Sequence, residues 1–170
     1  DDECILLLDA NAKGKDYFRV RVRIGDDMKG NPIYKNFYGT SKSDAEKKKR
    51  EYLDTLAQGI DPDLSKQNLS RAMNTWLWEV ERYNGNKSST FDRYEGVFRL
   101  YIQDSTLGFL TLSDIKKINI QQYFNDLMFN QKKSYNQVNI LKKLLNKFFS
   151  YAESESYIAK NPLKGFRLPK

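Results

Sequence analysis

From Tyr17 to Ile24 the chain alternates without a break. Phe18, Val20, Val22 and Ile24 form one set, and Tyr17, Arg19, Arg21 and Arg23 the other. Successive side chains of a strand point to opposite faces, so this period of two predicts a half-buried β-strand with a basic outer face. Gly25-Asp26-Asp27-Met28-Lys29-Gly30-Asn31-Pro32 is dense in turn formers and predicts a long hairpin loop. Ile33 to Tyr38 is then the return strand, and the short apolar run Cys4 to Asp9 a further strand.

The period changes after residue 42. Ser43-Asp44-Ala45-Glu46 has the spacing of a capping box, and Ala45, Tyr52 and Leu56 follow at helical intervals, with Leu53 beside them, up to Gly59. The expectation is a three-stranded sheet with one helix on its Phe18/Val20/Val22/Ile24 face, over residues 1–60. Asp61-Pro62-Asp63 reads as a linker, assigned to residues 61–64. Beyond it the pattern is helical throughout. Four stripes are expected over 65–163: Leu69 to Val80, Phe91 to Ile102, Ile120 to Met128, and Ser134 to about Tyr157. Ser134 and Gln137 are spaced as a second capping box, and Asn161-Pro162 stops regular structure. The predicted fold class is α+β: a small antiparallel sheet with one helix, followed by an all-α four-helix domain.

Composition narrows the chemistry. With no histidine and one cysteine, Cys4, there is no intramolecular disulfide, no His-based triad and no Cys/His zinc site. The carboxylates are scattered, which leaves a carboxylate metal site open but marks none; the pairs Glu79/Glu81 and Glu153/Glu155 point to different helix faces, so acid–base catalysis is not expected, and no cofactor is implied. No apolar run approaches the ~20 residues of a membrane span. The single thiol and the lack of a leader fit a reducing cytosol. The formal charge is +7, and its distribution is uneven: net +1 over residues 1–60, −1 over 61–131 and +7 over 132–170. A basic chain of this kind suits an anionic partner.

Three places carry candidate contacts. The first is the arginine row Arg19, Arg21 and Arg23, which Lys35 and Phe37 would join from the return strand. A twisted sheet can enter the DNA major groove, where arginine pairs bidentately with guanine. The same row also fits a solvated strand face. The second is the outer face of the last helix: Asn136, Asn139, Lys143 and Lys147, with Lys142 at its border. An ordinary Lys-rich amphipathic helix has the same pattern. The third is Asn86-Lys87-Ser88-Ser89-Thr90, where hydroxyls and a lysine open a helix and N-capping accounts for the hydroxyls. The aromatic residues Tyr83, Phe91, Tyr94, Phe98, Tyr101, Tyr123 and Phe124 read as core. Trp78 lies off its stripe and is expected to pack on a neighbour. Cys4 reads as a small buried residue.

The order of these parts resembles the N-terminal portion of a tyrosine recombinase, in particular integrases of phages and integrative conjugative elements. The likeness rests on Tyr17-Phe18-Arg19-Val20-Arg21-Val22, on Tyr38-Gly39-Thr40-Ser41-Lys42-Ser43-Asp44-Ala45-Glu46, and on Ser89-Thr90-Phe91-Asp92-Arg93-Tyr94. Leu107-Gly108 with Leu112, Phe149-Ser150-Tyr151-Ala152 and Ile158-Ala159-Lys160-Asn161-Pro162 complete it. The resemblance implies an arm-type DNA-binding domain followed by a SAM-like core-binding domain. It implies double-stranded DNA and other integrase protomers as partners, and a bacterial cytoplasmic setting. Carried over, it implies DNA contacts from Arg19, Arg21, Arg23 and Lys35, from Lys87 and Thr90, and from Asn139, Lys143 and Lys147. Tyr38 would take a buried aromatic position. The family's Arg, His-x-x-Arg and tyrosine set has no counterpart here, so the chain is expected to bind DNA and not to cleave it. An RNA-binding module, or a protein-interaction module with a basic face, is the alternative.

Overall fold

The structure, a computed structural model, describes residues 9–10, 16–85 and 87–169. Cys4, most of the expected Cys4–Asp9 strand, and Asn86 lie outside these residues. The chain divides into two units between Gln58 and Gly59.

In the first unit the alternating segment forms β2 (Asp16–Asp26), antiparallel to β3 (Pro32–Gly39); a two-residue β1 (Asp9–Ala10) pairs with the start of β2. Helix α1 (Lys42–Ala57) covers one face. Val20, Val22, Phe37, Ala45 and Tyr52 are buried, and the Phe37 and Tyr52 rings meet edge-on at 5.2 Å. The N-cap of α1 is Ser41, two residues before the expected Ser43. Its side chain accepts from the Asp44 amide, while Asp44 accepts from the Thr40 amide at 3.1 Å and from Lys48 Nζ at 3.0 Å. Lys48 Nζ also donates to the Tyr38 carbonyl at 2.9 Å, tying helix to strand. The strand and helix approach so closely at Gly39 that a Cβ there would lie 2.4 Å from the Ala45 backbone nitrogen.

The register corrects two expectations. Arg23 pairs with Tyr34 but Gly25 pairs with Ile33, so one residue of β2, Ile24, is bulged out of the ladder. Ile24 is exposed and does not join Val20 and Val22 in the core. Opposite residues share a face. Val20 faces Phe37 and Val22 faces Lys35, which puts Lys35 and Phe37 on the helix side. Tyr38, expected inside, sits on the outer face and is exposed.

The second unit is helical. Residues expected as a linker open it: Asp61 caps the short helix α2 (Pro62–Ser65), Pro62 and Ser65 are buried, and the Asp61 amide donates to the Ser156 carbonyl at 2.9 Å. Helices α3 (Leu69–Glu79), α4 (Ser88–Tyr101), α5 (Lys117–Asn125) and α6 (Tyr135–Ser154) follow. A 3-10 turn over Glu81–Tyr83 follows α3, and a π-turn over Asp126–Asn130 extends α5. The Ser134/Gln137 capping box forms as expected. Helix α6 stops at Ser154, short of Tyr157, because Ser156 turns to φ +63°.

One core joins these helices. It includes Leu69, Met73, Trp76, Leu77, Phe98, Ile120, Phe124, Leu141, Leu145, Phe148 and Phe149. Trp76 meets Phe148 at 5.6 Å, and Trp78 meets Phe91 edge-on at 5.2 Å, which supplies the expected neighbour. Of the aromatic residues expected inside, Phe98, Tyr101, Tyr123 and Phe124 are buried, and Phe91 and Tyr94 are half-buried. Tyr83 is 74% exposed, because the 3-10 turn carries it off the stripe of α3.

Candidate nucleic-acid interface

The face of the first sheet opposite α1 holds Arg19, Arg21 and Arg23 from β2 and Tyr38, Asn36 and Tyr34 opposite them from β3. The row therefore alternates cations with hydrogen-bonding side chains. Lys35 is not part of it: its Nζ lies 4.6 Å over the Tyr52 ring on the α1 side. Tyr34, Asn36 and Tyr38 were not anticipated, because the face of β3 depends on the bulge at Ile24.

The arginines differ in their surroundings. Arg21 places its Cζ 3.6 Å over the Tyr34 ring, the strand-diagonal neighbour. Stacking on a ring face leaves the in-plane N–H donors at the guanidinium edge available to a ligand. Arg23 is forked onto Asp26 through Nη2 at 2.5 and 2.7 Å, and this hydrogen bond raises its already high pKa. Beyond it, Asp27 closes the hairpin loop by accepting from the Asn31 side chain at 3.0 Å and from the Asn31 and Lys29 amides at 2.8 Å. These bonds, the Asn31 side chain first, hold its carboxyl below the usual carboxylate range.

In the second unit, α6 carries its apolar stripe inward. Asn136, Lys143 and Asn146 are exposed on the other side, with Asn139 and Lys142 half-buried. Lys147 is on this helix but is engaged within the fold. Its ammonium pairs with Glu81, whose side chain is fully buried, and lies 5.4 Å from the Tyr94 ring of α4. Asn84 Nδ2 donates to the other Glu81 oxygen at 3.2 Å. Lys147 thus stitches the turn after α3 to α6, which the helical periodicity alone did not reveal. Lys143 stands one helical turn before it, free of any ion pair among the described residues.

At the start of α4 the N-cap is Lys87, with no side-chain cap bond. The hydroxyls of Ser88, Ser89 and Thr90 therefore do not cap the helix as expected; they belong to its first turn. Lys87 is exposed and Thr90 half-buried. Tyr94, one turn beyond Thr90, meets Lys147, so α4 and α6 adjoin near this end. Among the described residues, no hydrogen bond or ion pair joins Lys87 or Thr90 to Lys143.

Among the described residues no cluster of three or more acidic, Cys or His side chains is placed to hold a metal. Among them, no helix is long and apolar enough to cross a membrane.

Comparison with known proteins shows a likeness to phage integrases and to a tyrosine recombinase. Residues 68–128 match the family model described as phage integrase, N-terminal SAM-like domain. The chain is 44% identical over 155 residues to a tyrosine recombinase XerC-like protein of Caldanaerobacter subterraneus subsp. tengcongensis. That match covers 91% of this chain, so it reaches well into the sheet unit, and 39% of the relative's length. The chain also resembles the solution structure of a phage integrase SAM-like domain from Moorella thermoacetica, with a TM-score of 0.52 and 25% identity. This likeness covers 65% of the chain and 91% of that domain. The family likeness read from the residues therefore stands, and the α+β class with it.

Proposed function

We propose that this chain, related to the tyrosine recombinases and containing a phage-integrase SAM-like domain, is the DNA-binding portion of a site-specific recombinase. The sheet unit binds arm-type duplex, the helical unit binds core-type duplex, and chemistry belongs to residues outside this sequence. The observation that carries the reading is the register of β2 on β3. It places three arginines, two tyrosines and an asparagine at six central positions of one sheet face, while α1 covers the opposite face.

Such a ribbon suits the major groove. Arginine there reads guanine through two parallel hydrogen bonds, and asparagine reads adenine in the same way. Arg19, Arg21, Asn36 and Tyr38 are the proposed contacts, with Arg23 partly neutralised by Asp26. Lys35 is left out because it lies on the α1 side. On the helical unit the proposed contacts are Lys87, Thr90, Asn139 and Lys143; Lys147 acts in the fold instead. The parent activity, integration or excision of a mobile element in company with other protomers, follows from the relationship and is part of the proposal.

The test is selection of duplexes from a random-sequence pool by the full chain, followed by titration of the winners at two salt concentrations. Two classes of preferred sequence are expected, each with a steep salt dependence. Equal affinity for selected and random DNA contradicts specific recognition. Stronger binding to structured RNA than to any duplex favours the RNA alternative.

A further inference from the structure

The segment after α6 is not a loose exit. Asn161 is buried and makes three side-chain hydrogen bonds: its Nδ2 donates to Asn146 Oδ1 and to Ser150 Oγ, each at 3.1 Å, and its Oδ1 accepts from the Leu163 amide at 2.8 Å. Asn146 and Ser150 stand one turn apart on the outer face of α6. One side chain thus clips the departing backbone to that face. A turn follows, with the Lys164 amide donating to the Asn161 carbonyl at 3.2 Å and the Phe166 amide to the Leu163 carbonyl at 2.9 Å. Leu163 and Phe166 point into the core, where Phe166 lies 5.4 Å from Phe124.

With those two side chains turned in, Lys164 is turned out. A groove of about 590 Å³ runs between α6 and this segment. Asn139, Lys142 and Lys143 line it from the helix and Lys164 from the tail, and Glu153 is the one carboxylate of its lining. None of the three ammonium groups is in an ion pair among the described residues. Three lysines in no ion pair among the described residues, around a groove of mixed polar and apolar lining that opens to solvent, attract a polyanion such as a strand of phosphates.

We propose that Asn161 is a positioning residue that builds the second wall of this groove, and that the groove seats the phosphate backbone of duplex DNA, with Lys164 as a contact that depends on Asn161. The proposal rests on the DNA-binding reading and adds to it a wall that no helical face supplies. Asn161 touches no phosphate itself. Its effect is to hold Lys164 on the same side as Lys142 and Lys143.

The experiment is a double-mutant cycle on the full chain, probed with a selected duplex whose binding Lys143→Ala weakens. Lys164→Ala is expected to weaken binding about threefold to tenfold and to make the slope of log affinity against log salt shallower by about one. Asn161→Ala is expected to do the same, and the double variant to be no weaker than Asn161→Ala alone. Duplexes whose binding Arg21→Ala weakens serve as control and should be bound as before. Should Asn161→Ala fail to fold, Asn146→Ala with Ser150→Ala removes the α6 half of the clip, leaves the Leu163 bond in place, and enters the same cycle with Lys164→Ala. Additive losses, or unchanged affinity in both single variants while the wild type binds, overturn the role of Asn161. A wild-type chain that binds no duplex overturns the DNA reading as well.

Discussion

Replacing Lys147 by methionine separates its role in the fold from the DNA contact proposed for Lys143. The variant keeps the aliphatic stem and removes the ammonium, so the fully buried Glu81 carboxylate loses that cation and keeps the Asn84 bond at 3.2 Å. Breaking a wholly buried pair costs about 3–5 kcal/mol, while a surface pair contributes ~0–1 kcal/mol. The Lys147 side chain is 42% exposed, so water screens part of the interaction. An intermediate loss of about 2 kcal/mol is expected, including the ring contact to Tyr94. For a unit of this size that lowers Tm by roughly 8 °C. Both tryptophans, Trp76 and Trp78, lie in the helical unit, so thermal unfolding followed by their fluorescence reports this unit alone. Lys143→Met should shift Tm by no more than about 2 °C, as exposed substitutions do. Adding Glu81→Gln to Lys147→Met should recover part of the loss, because the buried charge is removed with its partner. A Lys147→Met chain that melts with the wild type, or a Lys143→Met chain that loses as much, refutes this division of roles.

Three further outcomes follow from other contacts. Gly39→Ala places a methyl 2.4 Å from the Ala45 backbone and should cost about 2 kcal/mol or more, seen as loss of sheet signals in amide NMR while the tryptophan transition stays put. Tyr34→Phe should leave binding to arm-type duplex unchanged, whereas Tyr34→Ala should weaken it about twofold to fivefold, the contribution of an exposed cation–π contact. Burial pushes the Tyr123 hydroxyl up to about 12 from 10.0. The folded state therefore holds this proton more tightly than the unfolded state does. Stability is full below pH ~10 and falls between ~10 and ~12, a slope that urea titrations should show and that Tyr123→Phe should flatten.

The strongly periodic elements were legible in the residues. The alternation through Arg19, Arg21 and Arg23 placed one strand and its two faces, and the Ser134/Gln137 spacing located the start of α6. What was not legible depends on pairing or on contacts distant in sequence. In β3 both alternating sets contain aromatic residues, Phe37 in one and Tyr34 and Tyr38 in the other. The single bulged residue Ile24 decides which set meets α1, and it turned Lys35 inward. Nothing in the helical pattern marks Glu81 as buried, because Lys147, which pairs with it, is 66 residues away. Asn161 reads as a stop signal beside a proline, because its hydrogen-bond partners Asn146 and Ser150 sit on the polar face of a helix that has already ended. The likeness to integrases and a recombinase supplied what periodicity could not: a reason to propose that both basic faces contact DNA.

The central claim is that two separate faces read two different duplexes, and crossing two substitutions against two probes tests it most directly. Arg21→Ala and Lys143→Ala are each titrated against both selected duplex classes at a single salt concentration. Arg21→Ala should weaken binding to one class by about tenfold or more and leave the other within about twofold, with Lys143→Ala showing the reverse. Equal losses on both duplexes from either substitution would contradict the account.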